Sequence, residues 1–273
     1  MISDTFLVNA GMVVYLMAFV ISLWRLFSSA LPLQRWNFRI MCFGWLLHTA
    51  GFLVRWRTTY QLGYNYFPVA NRYESLVFYG WCIALAWLVI QRWAPKPGIA
   101  AGMQFFAAAV TAWAGLFQTH ATEINPLMPA LRSNWLLFHV LTCFLAYAAF
   151  TAAAFIALHF LIRVRRNPDL DSSDTDSLMY RCASIGFFLL TLGILSGSVW
   201  AQQAWGRYWG WDPKEVWSLI TWIIYALFLH VYITRRWRGK KLALLAVIGF
   251  FAMLFTFLGV NYLPFLSGLH SYA

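Results

Sequence analysis

The chain has 273 residues, of which 62% are hydrophobic and 11% charged, with a formal net charge of +11 and a mean hydropathy of +0.63. This composition excludes an ordinary soluble domain, in which about 25% of residues are charged. The sequence contains no phosphate-binding loop, no H-E-x-x-H motif and no Ser-His-Asp arrangement, so neither an ATPase nor a hydrolase is indicated.

Eight apolar stretches of about twenty residues follow one another, each of the length that crosses about 30 Å of hydrocarbon. No basic residue precedes the first of them, which argues against a cleavable signal peptide. We therefore predict an all-α polytopic membrane protein with about eight transmembrane helices in a single domain over residues 1–273. The predicted spans are 8–27, 39–56, 75–93, 99–117, 135–162, 182–200, 213–234 and 242–262.

The basic residues are distributed unequally between the two sides of the predicted membrane. The loops after the first, third, fifth and seventh spans hold 14 of the 20 lysines and arginines. By the positive-inside rule this side is cytoplasmic, and both termini then face outward. The longest cytoplasmic loop, residues 163–181, is polar and predicts a flexible connector. The positive charge thus indicates topology and gives no support for a nucleic-acid partner.

The motif N-R-Y-E-S-L, residues 71–76, places Glu74 at the outward-facing start of the third span. One interpretation is an acid that interacts with the positive end of the helix dipole, and the other is an acid that supports a ligand site. Arg55, Arg57 and Arg72 lie on the same predicted side, and guanidinium groups bind carboxylates bidentately. These three arginines are therefore candidate contacts for an anionic group of a ligand.

Histidines occur inside or at the ends of several spans, where each one either bonds a neighbouring helix or marks a functional site. His48 lies near the middle of the second span, His139 near the outer end of the fifth, and His230 towards the cytoplasmic end of the seventh. His270 lies in the outward-facing tail. His120 and the fifth span's His159 are interpreted as non-ligands. The four cysteines, of which none forms a C-x-x-C pair, are interpreted as small buried side chains.

Six of the 16 tryptophans lie between residues 200 and 222. Within this region Asp212-Pro213-Lys214-Glu215 predicts a helix start, with Asp212 as N-cap and Glu215 completing a capping box. An interfacial aromatic belt would distribute its tryptophans over all spans. Their concentration here favours a platform for a flat apolar ligand. The tryptophans next to the predicted helix start are Trp205, Trp209, Trp211 and Trp217.

His139 and His270 flank this tryptophan-rich segment on the same predicted side of the membrane. Two neutral imidazoles on opposite faces of a flat macrocycle are the axial ligands that haem iron accepts. The residues alone therefore suggest a haem site that faces outward.

The segment W-A-Q-Q-A-W-G-R-Y-W-G-W-D-P-K-E-V-W-S-L-I-T-W, residues 200–222, resembles the WWD domain (here residues 201–217) of haem-handling membrane proteins of cytochrome c biogenesis. Together with N-R-Y-E-S-L and the terminal G-L-H-S-Y, it looks like the CcsA (ResC) family of System II. The eight predicted spans also fit that family better than CcmC or CcmF.

The resemblance implies that haem b is bound non-covalently as a substrate in transit. His230 matches a transmembrane haem site, and His139 with His270 match the axial ligands of the outer site. The WWD platform comprises Trp205, Trp209, Trp211, Trp217, Asp212 and Glu215. Arg55, Arg57, Arg72 and Glu74 are candidates for propionate contacts or for supporting positions around the haem.

The resemblance also implies partners and a place in the cell. A CcsB (ResB)-type membrane protein supplies the other transmembrane histidine, so this chain is one subunit of a holocytochrome c synthase with haem lyase-type activity. The acceptor is the C-x-x-C-H segment of apocytochrome c, and a thioredoxin-like thiol reductant is a further candidate partner. The implied location is a bacterial inner or thylakoid-type membrane, with the active face periplasmic.

Two other functions stay open from the sequence. One is a transporter of a small aromatic or amphipathic solute that uses His48, His230 and Glu74 along its pathway, which inverted repeats would support and which the sequence does not show. The other is an anchor subunit of a respiratory complex, in which the tryptophans act only at the membrane interface.

Overall fold

A computed structural model describes residues 3–28, 31–117 and 122–260. Within these ranges the chain forms eight α-helices and no strand, which confirms the predicted all-α fold. The helices are α1 Asp4–Trp24, α2 Leu31–Gln61, α3 Arg72–Ile90, α4 Pro97–Phe117, α5 Asn134–Arg166, α6 Ser173–Trp205, α7 Pro213–Ile233 and α8 Lys240–Leu254, which continues as a π-helical turn at Phe255–Gly259.

Seven of the eight helices are long and apolar enough to cross a membrane, and the chain is a multi-pass membrane protein. The exception is α2, on which we predicted the span 39–56. Only 15 residues separate Arg39 from Arg55, fewer than the roughly 20 that cross the hydrocarbon core. The predicted helix is present. Its arginines leave an apolar stretch too short for α2 to count among the helices that can cross a membrane.

The predicted flexible connector at residues 163–181 is wrong. Helix α5 continues to Arg166 and α6 begins at Ser173, so only a short turn joins them. Each of these helices has 33 residues, or about 50 Å at 1.5 Å per residue, and thus extends beyond the bilayer. Basic residues in the last turn of α5 and acidic ones in the first turn of α6 explain the extension, because both charge types interact favourably with the helix dipoles there.

The chain forms two compact units, Met1–Arg132 (unit 1) and Ser133–Ala273 (unit 2). In unit 1, α1 packs against α2 and α4, and α3 packs against α4. Glycines make the contact between α1 and α2 close: a Cβ on Gly11 would lie 2.9 Å from the carbonyl oxygen of Gly44. Small residues of this kind allow helix backbones in membranes to approach each other.

Unit 2 is a bundle of α5 to α8 in which α5 and α6 form the most extensive pair. Three glycines on one side of α6, which we call its glycine face, receive three α5 side chains: Gly186 receives Phe150, Gly193 receives Cys143, and Gly197 receives His139. The paired residues advance in opposite directions along the chain, so the two helices are antiparallel. The ring of Phe150 also stacks on Tyr225 of α7 at 3.5 Å in the core of this unit.

Candidate functional site

The tryptophan-rich segment joins α6 to α7 within unit 2. Helix α6 ends at Trp205 and is followed by Gly206, whose φ of 73° gives a left-handed C-cap that other residues adopt at a cost. Helix α7 begins with Asp212 as N-cap, Pro213 in its first turn and a complete capping box with Glu215. The predicted helix start is therefore confirmed. Between the two caps, residues 207–211 form a short loop.

Glu215 also fixes the backbone of this loop. One of its carboxylate oxygens accepts hydrogen bonds from the N–H groups of Gly210, at 2.7 Å, and of Asp212, at 3.1 Å. The residue between them, Trp211, has a φ of 57°, which is uncommon for a side chain of this size. The two hydrogen bonds hold this conformation, in which the side chain of Trp211 is 70% exposed.

The predicted platform tryptophans do not form one continuous stack. Trp209 meets Trp211 edge-on at 5.8 Å between ring centroids. Trp205 meets Trp200 at 4.8 Å, and Trp217 contacts Phe255 of the π-helical turn at 4.2 Å. The segment thus offers several separate aromatic surfaces. Trp200 and Phe255 were not among the predicted platform residues.

His139 is half-buried near the start of α5, and its ring is held by α6. The Nδ1 atom lies 2.6 Å from the carbonyl oxygen of Gly193, and because that oxygen only accepts, Nδ1 carries the proton and donates. The lone pair of the neutral ring then lies on Nε2, which is the arrangement of metal-binding histidines that donate their other nitrogen to a carbonyl. The ring lies nearly parallel to Trp200, at 16° and 6.4 Å.

His230 lies at the opposite end of unit 2, in the last turn of α7. It is 17 residues after Pro213, or about 26 Å along the helix axis. Its side chain is exposed on the same side of α7 as Ile223 and Leu227, which are 51% and 46% exposed. In a membrane this side of the helix faces outward from unit 2.

The four residues predicted as propionate contacts or supporting positions all lie in unit 1, where Arg55 and Glu74 bond each other. Arg55 donates to Glu74 at 2.9 Å and to Asp4 at 3.0 Å, and the side chain of Glu74 has no exposed surface. Glu74 also completes the capping box of Asn71 at the start of α3. The structure thus agrees with the interpretation of Glu74 as an acid at the start of a helix.

The same carboxylate of Glu74 accepts a hydrogen bond from Tyr66 at 3.4 Å. Burial, together with the charge of Glu74, raises the pKa of the Tyr66 phenol above its ordinary value. Arg57 is exposed, and Arg72 is half-buried at the first residue of α3. The predicted propionate contacts or supporting roles of these two arginines, of Arg55 and of Glu74 stay predictions.

His48 is fully buried in unit 1, with Nδ1 3.2 Å from the hydroxyl of Tyr15. The four cysteines are free thiols; three of them are buried, as interpreted from the sequence, and Cys42 is half-buried. His120 and His270 lie outside the described residues, so the second predicted axial ligand of the outer site stays a prediction.

Sequence reasoning missed the partners of His139 on α6. The signal was present as G-I-L-S-G, residues 193–197, a G-x-x-x-G pattern that marks close helix packing in membranes. The pattern does not reveal which helix packs there, because that depends on the register between α5 and α6.

The chain resembles proteins of a known family over most of its length. Residues 69–269 match the family described as "Cytochrome C assembly protein". The chain is 37% identical to the cytochrome c biogenesis protein CcsA of Synechococcus sp. (strain CC9605), over 96% of this chain and 94% of that protein. It is 35% identical to the CcsA protein of Mesostigma viride, over 98% of this chain and 96% of that protein.

Among solved structures, the chain is similar in fold to the protein named Cytochrome c Heme Lyase CcmF. The TM-score is 0.72 at 20% sequence identity, and the match covers 94% of this chain and 47% of that chain. At this identity the similarity concerns the fold alone.

Proposed function

The chain belongs to the cytochrome c assembly protein family, as a CcsA-type member, and on that premise we propose that it handles haem for cytochrome c maturation. The observation that carries this proposal is His139. Its Nδ1 donates to the backbone of α6, which leaves the lone pair on Nε2 at the tryptophan end of unit 2. That is the tautomer in which Nε2 can ligate haem iron.

Haem is the substrate, bound non-covalently at this end of the chain. His139 is one axial ligand, and His270, in the tail that follows the described residues, is the other. Trp211, which is exposed, and the half-buried Trp205, Trp209 and Trp217 provide apolar surface for the porphyrin. Asp212 and Glu215 act through the backbone: they build the start of α7 and hold Trp211 in its exposed position.

His230 is proposed as the ligand of a second haem site nearer the cytoplasmic end. An imidazole exposed within a membrane is costly unless it has a partner. Because His230 faces outward from unit 2, a histidine of a CcsB-type membrane protein is the proposed second ligand. The chain is then one subunit of a synthase, and haem passes from the His230 site to the outer site in transit.

The final step is attachment to apocytochrome c. The two thiols of a C-x-x-C-H segment add across the two vinyl groups of haem: each S–H bond and each vinyl π-bond are exchanged for a C–S and a C–H bond, and no atoms leave. The reactive groups belong to haem and to the apocytochrome. The protein therefore contributes orientation of the haem and ligation of the iron. The proposed membrane is a bacterial inner or thylakoid-type membrane, with this face outward.

The outer site is tested by the haem spectrum of the chain purified with a co-expressed CcsB-type partner. We expect a low-spin bis-histidine spectrum to which both haem sites contribute, loss of the outer site's share in the His139→Gly, His270→Gly double variant, and recovery of that share on addition of imidazole. His159→Gln, on the same helix as His139, is the control and should retain the spectrum. If the double variant keeps the wild-type bis-histidine spectrum, the ligand assignment is wrong.

A further inference from the structure

The ring of His139 rests on the glycine face of α6, and two residues of that face fix its position. We propose that Gly193 and Gly197 are positioning residues for haem ligation: Gly193 sets the tautomer of His139, and Gly197 sets the place of its ring. This inference rests on the proposed function, because it assigns these glycines a role through the ligand His139.

The first contribution is the carbonyl of Gly193. It accepts the Nδ1–H of His139 at 2.6 Å, a short hydrogen bond for a neutral donor and acceptor. The same carbonyl accepts from the hydroxyl of Ser196 at 3.1 Å, and Ser196 is 3% exposed. A carbonyl in a helix is fixed by the backbone, so this acceptor cannot rotate away as a side chain would.

The second contribution is the missing side chain of Gly197. A Cβ at this position would lie 2.5 Å from Nδ1 of His139 and 2.8 Å from Cε1, closer than real Cβ contacts occur. The imidazole thus occupies the space in which any other residue would place its side chain. The absence of a Cβ is what allows the ring to reach the carbonyl of Gly193.

The third observation is a second hydrogen-bonded contact between α5 and α6, on the N-terminal side of His139. Ser133, the N-cap of α5, donates its hydroxyl to Gln203 of α6 at 2.7 Å. This pair follows the same antiparallel register as His139 with Gly197. The start of α5 is therefore fixed on α6 at two points, six residues apart.

Trp200 also lies beside the ring. It is 2% exposed and lies nearly parallel to the imidazole. With the carbonyl at one edge, the Cα of Gly197 near Nδ1 and this indole nearby, the plane of the imidazole is determined by the protein before haem binds. Preorganisation of this kind raises ligand affinity, and loss of such a supporting contact typically costs about 10- to 100-fold in metal affinity.

Gly197→Ala tests the proposal, measured by haem titration of the complex with its CcsB-type partner. We expect haem affinity of the outer site to fall about 10- to 100-fold, with the low-spin bis-histidine band partly replaced by a high-spin species. Gly186→Ala is the matched control: it adds the same methyl group on the same face of α6, against the ring of Phe150. It should reduce stability and leave the bis-histidine spectrum unchanged.

A second experiment, in the His139→Gly variant, distinguishes a positioning role of Gly197 from a general effect on helix packing. In His139→Gly supplied with imidazole, the free ring is no longer attached to α5 and can shift away from a new methyl group. We therefore expect Gly197→Ala to have no effect on haem affinity in that background. An equal loss in both backgrounds would show that Gly197 acts only through helix packing and would overturn the proposal.

Two further outcomes distinguish this inference from the proposed function. If His139→Gly loses the bis-histidine spectrum and Gly197→Ala keeps both spectrum and affinity, the positioning role is wrong and the haem function stands. If His139→Gly itself keeps the wild-type spectrum, the ligand assignment fails and the positioning role falls with it.

Discussion

The two units of the chain differ in how they use their polar and aromatic side chains. In unit 1, Arg55, Glu74 and His48 are at most 4% exposed, and each lies within bonding distance of another side chain of that unit. In unit 2, His230 is exposed and Trp211 is 70% exposed. Groups that are buried and bonded to each other are not available to a ligand. These three groups of unit 1 thus bond within its fold, whereas His230 and Trp211 of unit 2 are exposed.

A second polar network supports this comparison. Asn37 of α2 donates to Ser22 of α1 at 3.0 Å, and Gln104 of α4 donates to Asn37 at 2.9 Å. All three side chains have no exposed surface. Satisfied networks of this kind fix the arrangement of the helices that contribute to them.

The comparison is tested most strongly by breaking the ion pairs of unit 1. Arg55→Met leaves Glu74 and Asp4 without their cation, and loss of one partner of a buried pair costs about 3–5 kcal/mol. We expect a large fall in the thermal stability of the purified protein, and an unchanged haem spectrum in the fraction that folds.

Arg57→Met is the control for that variant, since Arg57 is exposed and its loss should change stability little. A stable Arg55→Met variant with an altered haem spectrum would contradict the division between the two units.

The features that sequence predicted well are local ones. The capping box of Asp212 and Glu215 needs only four neighbouring residues, so the motif identifies it directly. The apolar stretches predicted eight helices for the same reason. The ends of these helices are harder to predict, because helices that continue beyond the membrane no longer show an apolar pattern. For this reason the sequence predicts a long connector where the structure has a short turn between α5 and α6.

The features that sequence did not predict depend on register between distant segments. His139 meets Gly193, 54 residues away, only because α5 and α6 pack in one particular antiparallel alignment. In the same way, the sequence does not show that Arg55, a candidate for a haem propionate, bonds Asp4 and Glu74. A residue type indicates what a side chain can bind, and the fold decides which partner it meets.

A smaller effect is expected at the start of α7 in unit 2. Asp212→Ala removes the N-cap and should cost about 1 kcal/mol in stability. Because Asp212 and Glu215 build the same cap that holds Trp211, haem affinity of the outer site should also fall. Thermal unfolding and haem titration of the same preparation measure both. Asp212→Asn, which retains a capping side chain, should restore most of the stability, and a failure to do so would contradict the capping role.

The smallest effect on stability is expected at His230. His230→Ala should change the free energy of unfolding by less than about 0.5 kcal/mol, because the side chain is exposed. Haem loading of the outer site should nevertheless fall, since the proposed transit site loses its ligand. Leu227→Ala, on the same side of α7, is the control and should retain loading. Wild-type loading in His230→Ala would remove the transit step.

The central claim is that unit 2, through His139, binds the haem, while the buried histidine of unit 1 supports the fold. It is tested most directly by the haem-to-protein ratio of two single variants, His139→Gly and His48→Gln, each purified with the CcsB-type partner. The glutamine keeps a polar group that can bond Tyr15. We predict that His48→Gln retains wild-type haem content and that His139→Gly loses the haem of the outer site. Retained haem in His139→Gly together with lost haem in His48→Gln would contradict the account.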